Sequence, residues 1–121
     1  MRFGLSEEQV LLQDNVNRFL SEQVGLDGAR AYADGGSDAG IWQGLAELGV
    51  AALLIPEAQG GIGLGSLDAA IVAESLGYHA TPAPFLGSAV MAPTALVAAG
   101  GQEDLLAELA AGSKRVGIAF G

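Results

Sequence analysis

The chain of 121 residues is half hydrophobic, only 16% charged, and carries a formal net charge of −9. Fourteen acidic residues against five basic ones disfavour binding to nucleic acid or an anionic membrane, because both require clustered lysine and arginine. The absence of cysteine excludes disulfides and thiolate metal sites, and it fits a cytoplasmic protein. Average proteins contain about 25% charged residues, so the composition predicts one domain with part of its surface covered by another.

The stretch 75–102 contains no Asp, Glu, Lys or Arg. A membrane-spanning helix needs about 20 continuous apolar residues. Here the turn-like residues 77–84 come first, and Gly87 and Pro93 interrupt the remainder. We therefore expect a buried helix and no membrane span. The N-terminal residues also lack the apolar segment of a signal peptide.

The first helix is predicted to begin at Ser6, since Ser6 and Gln9 have the spacing of a capping box. Apolar residues then recur at helical spacing, and this stripe should face the core: Leu12, Val16, Phe19 and Leu20. The helix should end near Val24. A short second helix is expected over residues 26–33.

A third helix is predicted after Ser37 or Asp38, with Gly49 as its left-handed C-terminal residue. Its apolar stripe comprises Ile41, Trp42, Leu45, Ala46 and Leu48. The apolar run 50–55 follows, and its periodicity does not distinguish a strand from a buried extended connector.

The glycine-rich loop 56–65 superficially resembles a dinucleotide-binding turn. Its glycines at positions 61, 63 and 65 do not fit G-x-G-x-x-G, and no parallel βαβ pattern surrounds it. We interpret the loop as a tight turn between helices, in which glycine supplies positive φ angles.

Three more helices complete the predicted fold. The fourth is capped by Ser66, has Asp68 in its first turn and ends at Gly77. The fifth covers about 85–99, with a kink or break at Pro93, and the sixth covers about 103–111. The expected fold is all-α, an orthogonal or up-down bundle of roughly six helices in residues 1–113. Residues 114–121 have the character of a first strand that opens a β domain.

The chemically active side chains do not form a complete active site. His79 is the single histidine, so a histidine metal cluster is excluded, and we interpret it as a structural or surface residue. Trp42 fits a core anchor. The carboxylates of Glu57, Asp68 and Glu74 lack a partner arrangement for acid–base catalysis. We therefore predict no catalytic residue and no metal site.

Several segments together resemble one enzyme family. The chain is similar to the N-terminal helical domain of acyl-CoA dehydrogenases in Leu5–Gln9, Trp42–Gly49, Ile55–Leu64 and Asp68–Gly77. Pro82, Pro84 and Ser88 are similar to the subset that acts on bulky acyl-CoA esters, including steroid side chains. No single segment is specific, but their order and spacing are.

The resemblance implies a larger parent enzyme with this helical domain, a middle β domain and a C-terminal helical bundle. In that family FAD accepts a hydride while a carboxylate removes a proton, so that an acyl-CoA becomes a trans-2-enoyl-CoA. An electron-transferring flavoprotein then receives the electrons. The base and most of the flavin contacts would lie in the other two domains, so this segment should not be active alone.

The resemblance also implies site residues. The acyl end of the substrate pocket would be lined by Phe85, Leu86, Ser88, Ala89 and Ala92. The flavin side would be reached by Ile118, Phe120 and Gly121. The small residues Gly87 and Ala89 would either widen the pocket or merely permit close packing of helices.

Two alternatives to a catalytic parent stay open. The chain could be a non-catalytic assembly or substrate-binding subunit that serves a catalytic partner chain, within a homo- or hetero-oligomer. It could also be an unrelated helical interaction module.

Overall fold

A computed structural model describes residues 4–119 of the protein, and within them the chain is helical with no strand. The α-helices are α1 (Glu7–Gln23), α2 (Gly25–Ala33), α3 (Ala39–Glu47), α4 (Ser66–Tyr78), α5 (Ala92–Ala99) and α6 (Glu103–Ala110). Short 3₁₀ turns lie at Val50–Ala52 and Glu57–Gln59, and a π-helical segment covers Phe85–Met91. The predicted all-α fold is confirmed.

The start of α1 is fixed by the predicted capping box. The Gln9 amide donates to Ser6 Oγ at 3.1 Å, and the Ser6 amide donates to Gln9 Oε1 at 2.9 Å. Val16 and Leu20, from the predicted stripe, are fully buried, and α1 packs against α4. The helix therefore presents the face that its sequence pattern indicates.

The third helix, α3, is largely as predicted in its start, its buried residues and its end. Trp42 and Leu45 are buried, and Gly49 adopts the left-handed conformation with φ of 89°. Ser37 Oγ accepts the amide hydrogen two residues later, at 3.1 Å. Leu48 is 36% exposed, so its assignment to the buried stripe is wrong. The helix ends one residue earlier, and helical periodicity does not apply beyond that point.

Residues 50–55 form the centre of the molecule, and we call them the buried turn. Val50, Ala51 and Ile55 are fully buried, and Leu53 is 1% exposed. The segment is a compact helical turn, so neither a strand nor an extended connector describes it. It contributes to both hydrophobic clusters, one beneath α1, α3 and α4 and the other beneath α5 and α6.

The glycine-rich loop closes over the buried turn. The amides of Ile62, Gly63 and Leu64 donate to carbonyl oxygens of the buried turn at 2.9, 2.9 and 2.7 Å. Gly60 and Gly63 have positive φ angles of 84° and 68°. The interpretation as a turn is confirmed, and these three amides are not available to a phosphate.

The fourth helix begins differently from the prediction. Gly65 occupies the N-cap, and its amide donates to the Asp68 carboxylate at 3.1 Å. The assignment of Ser66 as the N-cap is therefore wrong, because the Asp68 side chain accepts a hydrogen bond from the amide of Gly65, one residue before Ser66. The helix also continues through Gly77 to Tyr78, so the predicted end was one residue early.

The fifth predicted helix is divided in two. Its first part, Phe85–Met91, is π-helical, and Pro93 lies in the first turn of α5. Proline is tolerated there because the amide of that position has no partner within the helix. The helix type changes between Met91 and Ala92, and both residues keep right-handed helical angles. No break therefore occurs at Pro93, and the alternative of a kink stays a prediction.

The segment after α6 does not form the predicted strand within the described residues. Positions 114–119 are irregular, which is expected because one strand without a neighbour has no ladder of hydrogen bonds. Phe120 and Gly121 lie outside the described residues. The division at residues 113 and 114 stays a prediction. Across residues 4–119, no helix is both long and apolar enough to cross a membrane.

Two glycine substitutions test the role of the loop. A Cβ at Gly61 would overlap the Ile55 carbonyl group, whereas a Cβ at Gly40 in α3 meets nothing within 4 Å. We expect Gly61→Ala to destabilise the fold by about 2 kcal/mol or more, because backbone must move. Gly40→Ala should be neutral or stabilise by up to about 1 kcal/mol. Urea unfolding followed by circular dichroism measures both, and equal midpoints would contradict the packing described.

Candidate functional site

The candidate site lies where the π-helical segment meets residues 113–118, which we call the strap. Ser88 is 2% exposed, and its hydroxyl donates to the Val116 carbonyl oxygen at 3.1 Å. The same hydroxyl accepts the Val116 amide hydrogen at 2.9 Å. The segment predicted to line the acyl pocket and the segment predicted to approach the flavin are therefore directly bonded.

The strap is attached to the helices at three further residues. Ser113 Oγ donates to the Glu108 carbonyl oxygen at 3.0 Å, and Lys114 Nζ lies 2.7 Å from Glu108 Oε2. Arg115 forms an ion pair with Asp38 at 2.7 Å. Exposed ion pairs of this kind stabilise a protein by about 0–1 kcal/mol each. These ion pairs therefore constrain the position of the strap but add little to the stability of the fold.

The five predicted pocket residues divide into one exposed and four buried side chains. Leu86 is 64% exposed, whereas Phe85, Ser88, Ala89 and Ala92 are between 1% and 7% exposed. Ala89 belongs to the larger hydrophobic cluster and Ala92 to the smaller one. Of the five, Leu86 alone has a side chain open to a ligand in this chain. The role of the set in a pocket stays a prediction.

The two small residues, Gly87 and Ala89, differ in how closely they are packed within this chain. A Cβ built on Gly87 would lie 3.4 Å from the Val116 carbonyl oxygen. Ala89, at 1% exposure, is enclosed by the core. The 3.4 Å separation is ordinary van der Waals contact, so close packing explains the small residue at Ala89 but does not require glycine at position 87.

A shallow cleft of about 300 Å³ lies beside Leu86, between the end of α4 and the π-helical segment. Phe85, Leu76 and Thr81 also line it. Thr81 Oγ1 is buried and has no hydrogen-bond partner among the described residues. Ala80, next to it, has a positive φ of 48°, which is uncommon for a residue with a Cβ.

Sequence reasoning did not select Thr81. It lies between a helix end and Pro82, a position that ordinarily belongs to a turn. Its unpaired hydroxyl is a property of the folded chain, so no sequence signal could have found it.

The other residues with reactive or polar side chains contact neighbouring parts of the fold. Trp42 is 2% exposed and anchors the core as predicted. Asp68 accepts hydrogen bonds from Gly65 and from the Gln9 side chain, which joins α1 to α4. His79 packs edge-to-face on Tyr78, with ring centroids 5.0 Å apart. Among residues 4–119, no group of three His, Asp or Glu side chains could hold a metal ion.

The described residues do not form a flavin site by themselves. Ile118 is half-buried and could supply an apolar contact, while Phe120 and Gly121 lie outside the described residues. The two cations of the strap, Lys114 and Arg115, are held by carboxylates. Amides of the glycine-rich loop are also bonded within the chain. Phosphate groups of a dinucleotide would thus have to be held by other residues.

Comparison with known proteins decides the family. The family model described as acyl-CoA dehydrogenase, N-terminal domain, matches residues 6–113. The chain belongs to the acyl-CoA dehydrogenase family. The alternative of an unrelated helical interaction module is therefore wrong.

Two curated acyl-CoA dehydrogenases named IpdE2 are similar to the chain. The Mycobacterium tuberculosis protein is 39% identical over 110 residues, which cover 88% of this chain and 35% of the relative. The Mycolicibacterium smegmatis protein is 39% identical over 119 residues, which cover 96% of this chain and 38% of the relative. The chain thus spans little more than a third of the length of these relatives.

A solved structure shares the fold. It is a variant of the Tcur3481-Tcur3483 steroid ACAD, with a TM-score of 0.80 and 27% sequence identity. The match covers 90% of this chain and 31% of that chain. The helical arrangement described above is therefore that of an acyl-CoA dehydrogenase N-terminal domain.

Neighbouring substitutions test which side chain is open to a ligand. We expect Phe85→Ala to lower the free energy of unfolding by about 3 kcal/mol, because the buried ring leaves a cavity. Leu86→Ala should change it by less than about 0.5 kcal/mol, as is usual for an exposed side chain. Urea unfolding of the two variants provides the measurement. A large loss for Leu86→Ala would mean that Leu86 belongs to the core.

Proposed function

We propose that the chain is the N-terminal helical domain of an FAD-dependent acyl-CoA dehydrogenase. The protein would convert an acyl-CoA thioester into the trans-2-enoyl-CoA, and this domain would shape the acyl end of the pocket. The supporting observation is the match of the acyl-CoA dehydrogenase N-terminal domain to residues 6–113. The double hydrogen bond between Ser88 and Val116 adds a structural link. It connects the segment that carries the exposed Leu86 to the strap that leads to Ile118.

The substrate class that we propose is a bulky acyl-CoA, such as one with a steroid ring system. One solved structure with this fold is named a steroid ACAD, which supports the proposal. The cleft beside Leu86 is wide and shallow rather than a narrow channel, with apolar side chains from Leu76 and Phe85. Apolar walls favour a hydrophobic acyl group.

The cofactor and electron acceptor follow from the family resemblance. FAD would accept the hydride, and an electron-transferring flavoprotein would receive the electrons, in a cytoplasmic protein. Within the described residues, Ile118 is the contribution that we propose to the flavin environment. The flavin itself would be held mainly by the β and C-terminal domains of the parent protein.

A second candidate is a non-catalytic subunit of a heteromeric acyl-CoA dehydrogenase. The name of the similar solved structure joins two designations, Tcur3481 and Tcur3483, which favours this candidate. In that case the same cleft would bind or cover the acyl group while a partner chain supplies the flavin. A homo-oligomer is the corresponding expectation for the catalytic candidate.

A tryptophan substitution tests the proposed pocket in the flavin-loaded protein. We expect Leu86→Trp to lower kcat/KM for a steroid-type acyl-CoA by about tenfold or more, because one bulky side chain narrows an apolar pocket. The value for a short acyl-CoA should change less than about twofold. Bleaching of flavin absorbance by each acyl-CoA provides the assay.

Leu26→Trp is the matched control, since Leu26 on α2 is 68% exposed and Leu86 is 64% exposed. It should leave both substrates unaffected. Equal loss for the two substrates, or for the two variants, would contradict the pocket. If the isolated protein binds no flavin but purifies with a flavin-containing chain, the second candidate replaces the first.

A further inference from the structure

The Ser88 hydroxyl has both of its hydrogen-bonding roles directed to one backbone residue. It donates to the carbonyl oxygen of Val116 and accepts from the amide of Val116. Ser88 is 2% exposed and Val116 is half-buried, so water has limited access to these bonds. The donor of the hydroxyl is therefore committed to Val116, and a substrate could be bound only through the remaining lone pair.

The strap needs such a partner for a physical reason. Val116 is half-buried in an irregular segment with no neighbouring strand in the described residues, so its amide and carbonyl groups need hydrogen-bond partners within the protein. In an antiparallel pair, one residue bonds both the amide and the carbonyl group of the residue opposite. Ser88 makes the same two bonds to Val116 with its side chain. The Ser88 side chain thus supplies the two hydrogen bonds that a neighbouring strand would otherwise make to Val116.

The bonds to Ser88 differ from the other attachments of the strap. The Lys114 pair has side chains that are 57% and 43% exposed, whereas in the Arg115 pair Arg115 is 40% exposed and Asp38 is 14% exposed. Salt screens exposed pairs of this kind. The Ser88 attachment is neutral and partly buried, so we expect it to depend less on ionic strength than the ion pairs do.

We infer that Ser88 is a positioning residue, which fixes where the chain leaves the helical domain toward Ile118. It thereby couples the segment carrying Leu86 to the residues that follow the strap. This inference revises the predicted role of Ser88 as a substrate contact. Its catalytic consequence depends on the proposed function, but the attachment itself does not.

Hydrogen–deuterium exchange of the full-length protein tests the attachment at the amide that is bonded. We expect Ser88→Ala to speed exchange at Val116 by about tenfold, the effect of losing one buried hydrogen bond. Amides of α1 should exchange at unchanged rates. Thr94→Ala is the control, because Thr94 Oγ1 donates to the Val90 carbonyl oxygen within the same helical region. It should leave Val116 protected.

A catalytic readout separates positioning from general stabilisation. In the flavin-loaded protein, Ser88→Ala should lower kcat for acyl-CoA at least about threefold with KM within about twofold, since the cleft beside Leu86 stays intact. A loss confined to KM would identify Ser88 as a substrate contact and overturn the inference.

Unchanged exchange at Val116 in a folded Ser88→Ala protein would also overturn it. If Ser88→Ala does not fold, Ser88→Cys replaces it, because a thiol fills the site but donates and accepts weakly. Faster exchange confined to the strap is then the expected result, and wild-type exchange contradicts it. If acyl-CoA fails to bleach the unmodified protein while Val116 responds as expected, the proposed function fails and the attachment stands.

Discussion

The fold depends on one buried turn, residues 50–55, whose carbonyl groups must be hydrogen-bonded inside the core. Buried carbonyl groups without partners are costly, and nearly all of them are paired in native proteins. Here the amides of the glycine-rich loop supply the partners. Gly61 permits the necessary approach, because any side chain there would overlap the Ile55 carbonyl group. A loop that resembles a ligand-binding turn thus has a structural purpose.

The same turn determines where the candidate site lies. Ala52 and Ile55 of the turn pack with Ala92 and with α6, while Val50 and Leu53 share a cluster with Ala89. The π-helical segment is therefore held on the core by Phe85 and Ala89, and the helix that follows it by Ala92. Leu86 is left on the outer side, and the hydroxyl of Ser88 bonds the strap. The site is an extension of the core rather than a separate structure.

Much of this fold could be predicted from local sequence signals. The capping box at Ser6 and the left-handed Gly49 each depend on residues close in the chain, and each was correct. The predicted cap at Ser66 was wrong because Asp68, two residues later, bonds the Gly65 amide and so moves the N-cap one residue earlier. Both Ser66 as a cap and Asp68 as a partner of the preceding amide fit the sequence, and the sequence pattern alone does not decide between them.

The candidate site was less predictable for two physical reasons. Residues 85–91 form a π-helix, which has more residues per turn than an α-helix. The α-helical period of 3.6 residues therefore does not predict which of their side chains share a face. The partner of Ser88 lies 28 residues away, and only tertiary packing brings Val116 to it. The resemblance to a family pointed to this segment, and its role in a pocket stays a prediction. The exposure of Leu86 and the hydrogen bonds of Ser88 could be seen only in the folded chain.

The central claim is that the acyl group of the substrate lies against the exposed side of the π-helical segment. A crystal structure of the flavin-loaded protein with a steroid-type acyl-CoA tests it most directly. The account predicts van der Waals contact between the acyl group and Leu86, with Ser88 still bonded to Val116. An acyl group bound elsewhere, with Leu86 in solvent or the Ser88 hydroxyl on the substrate, would contradict it.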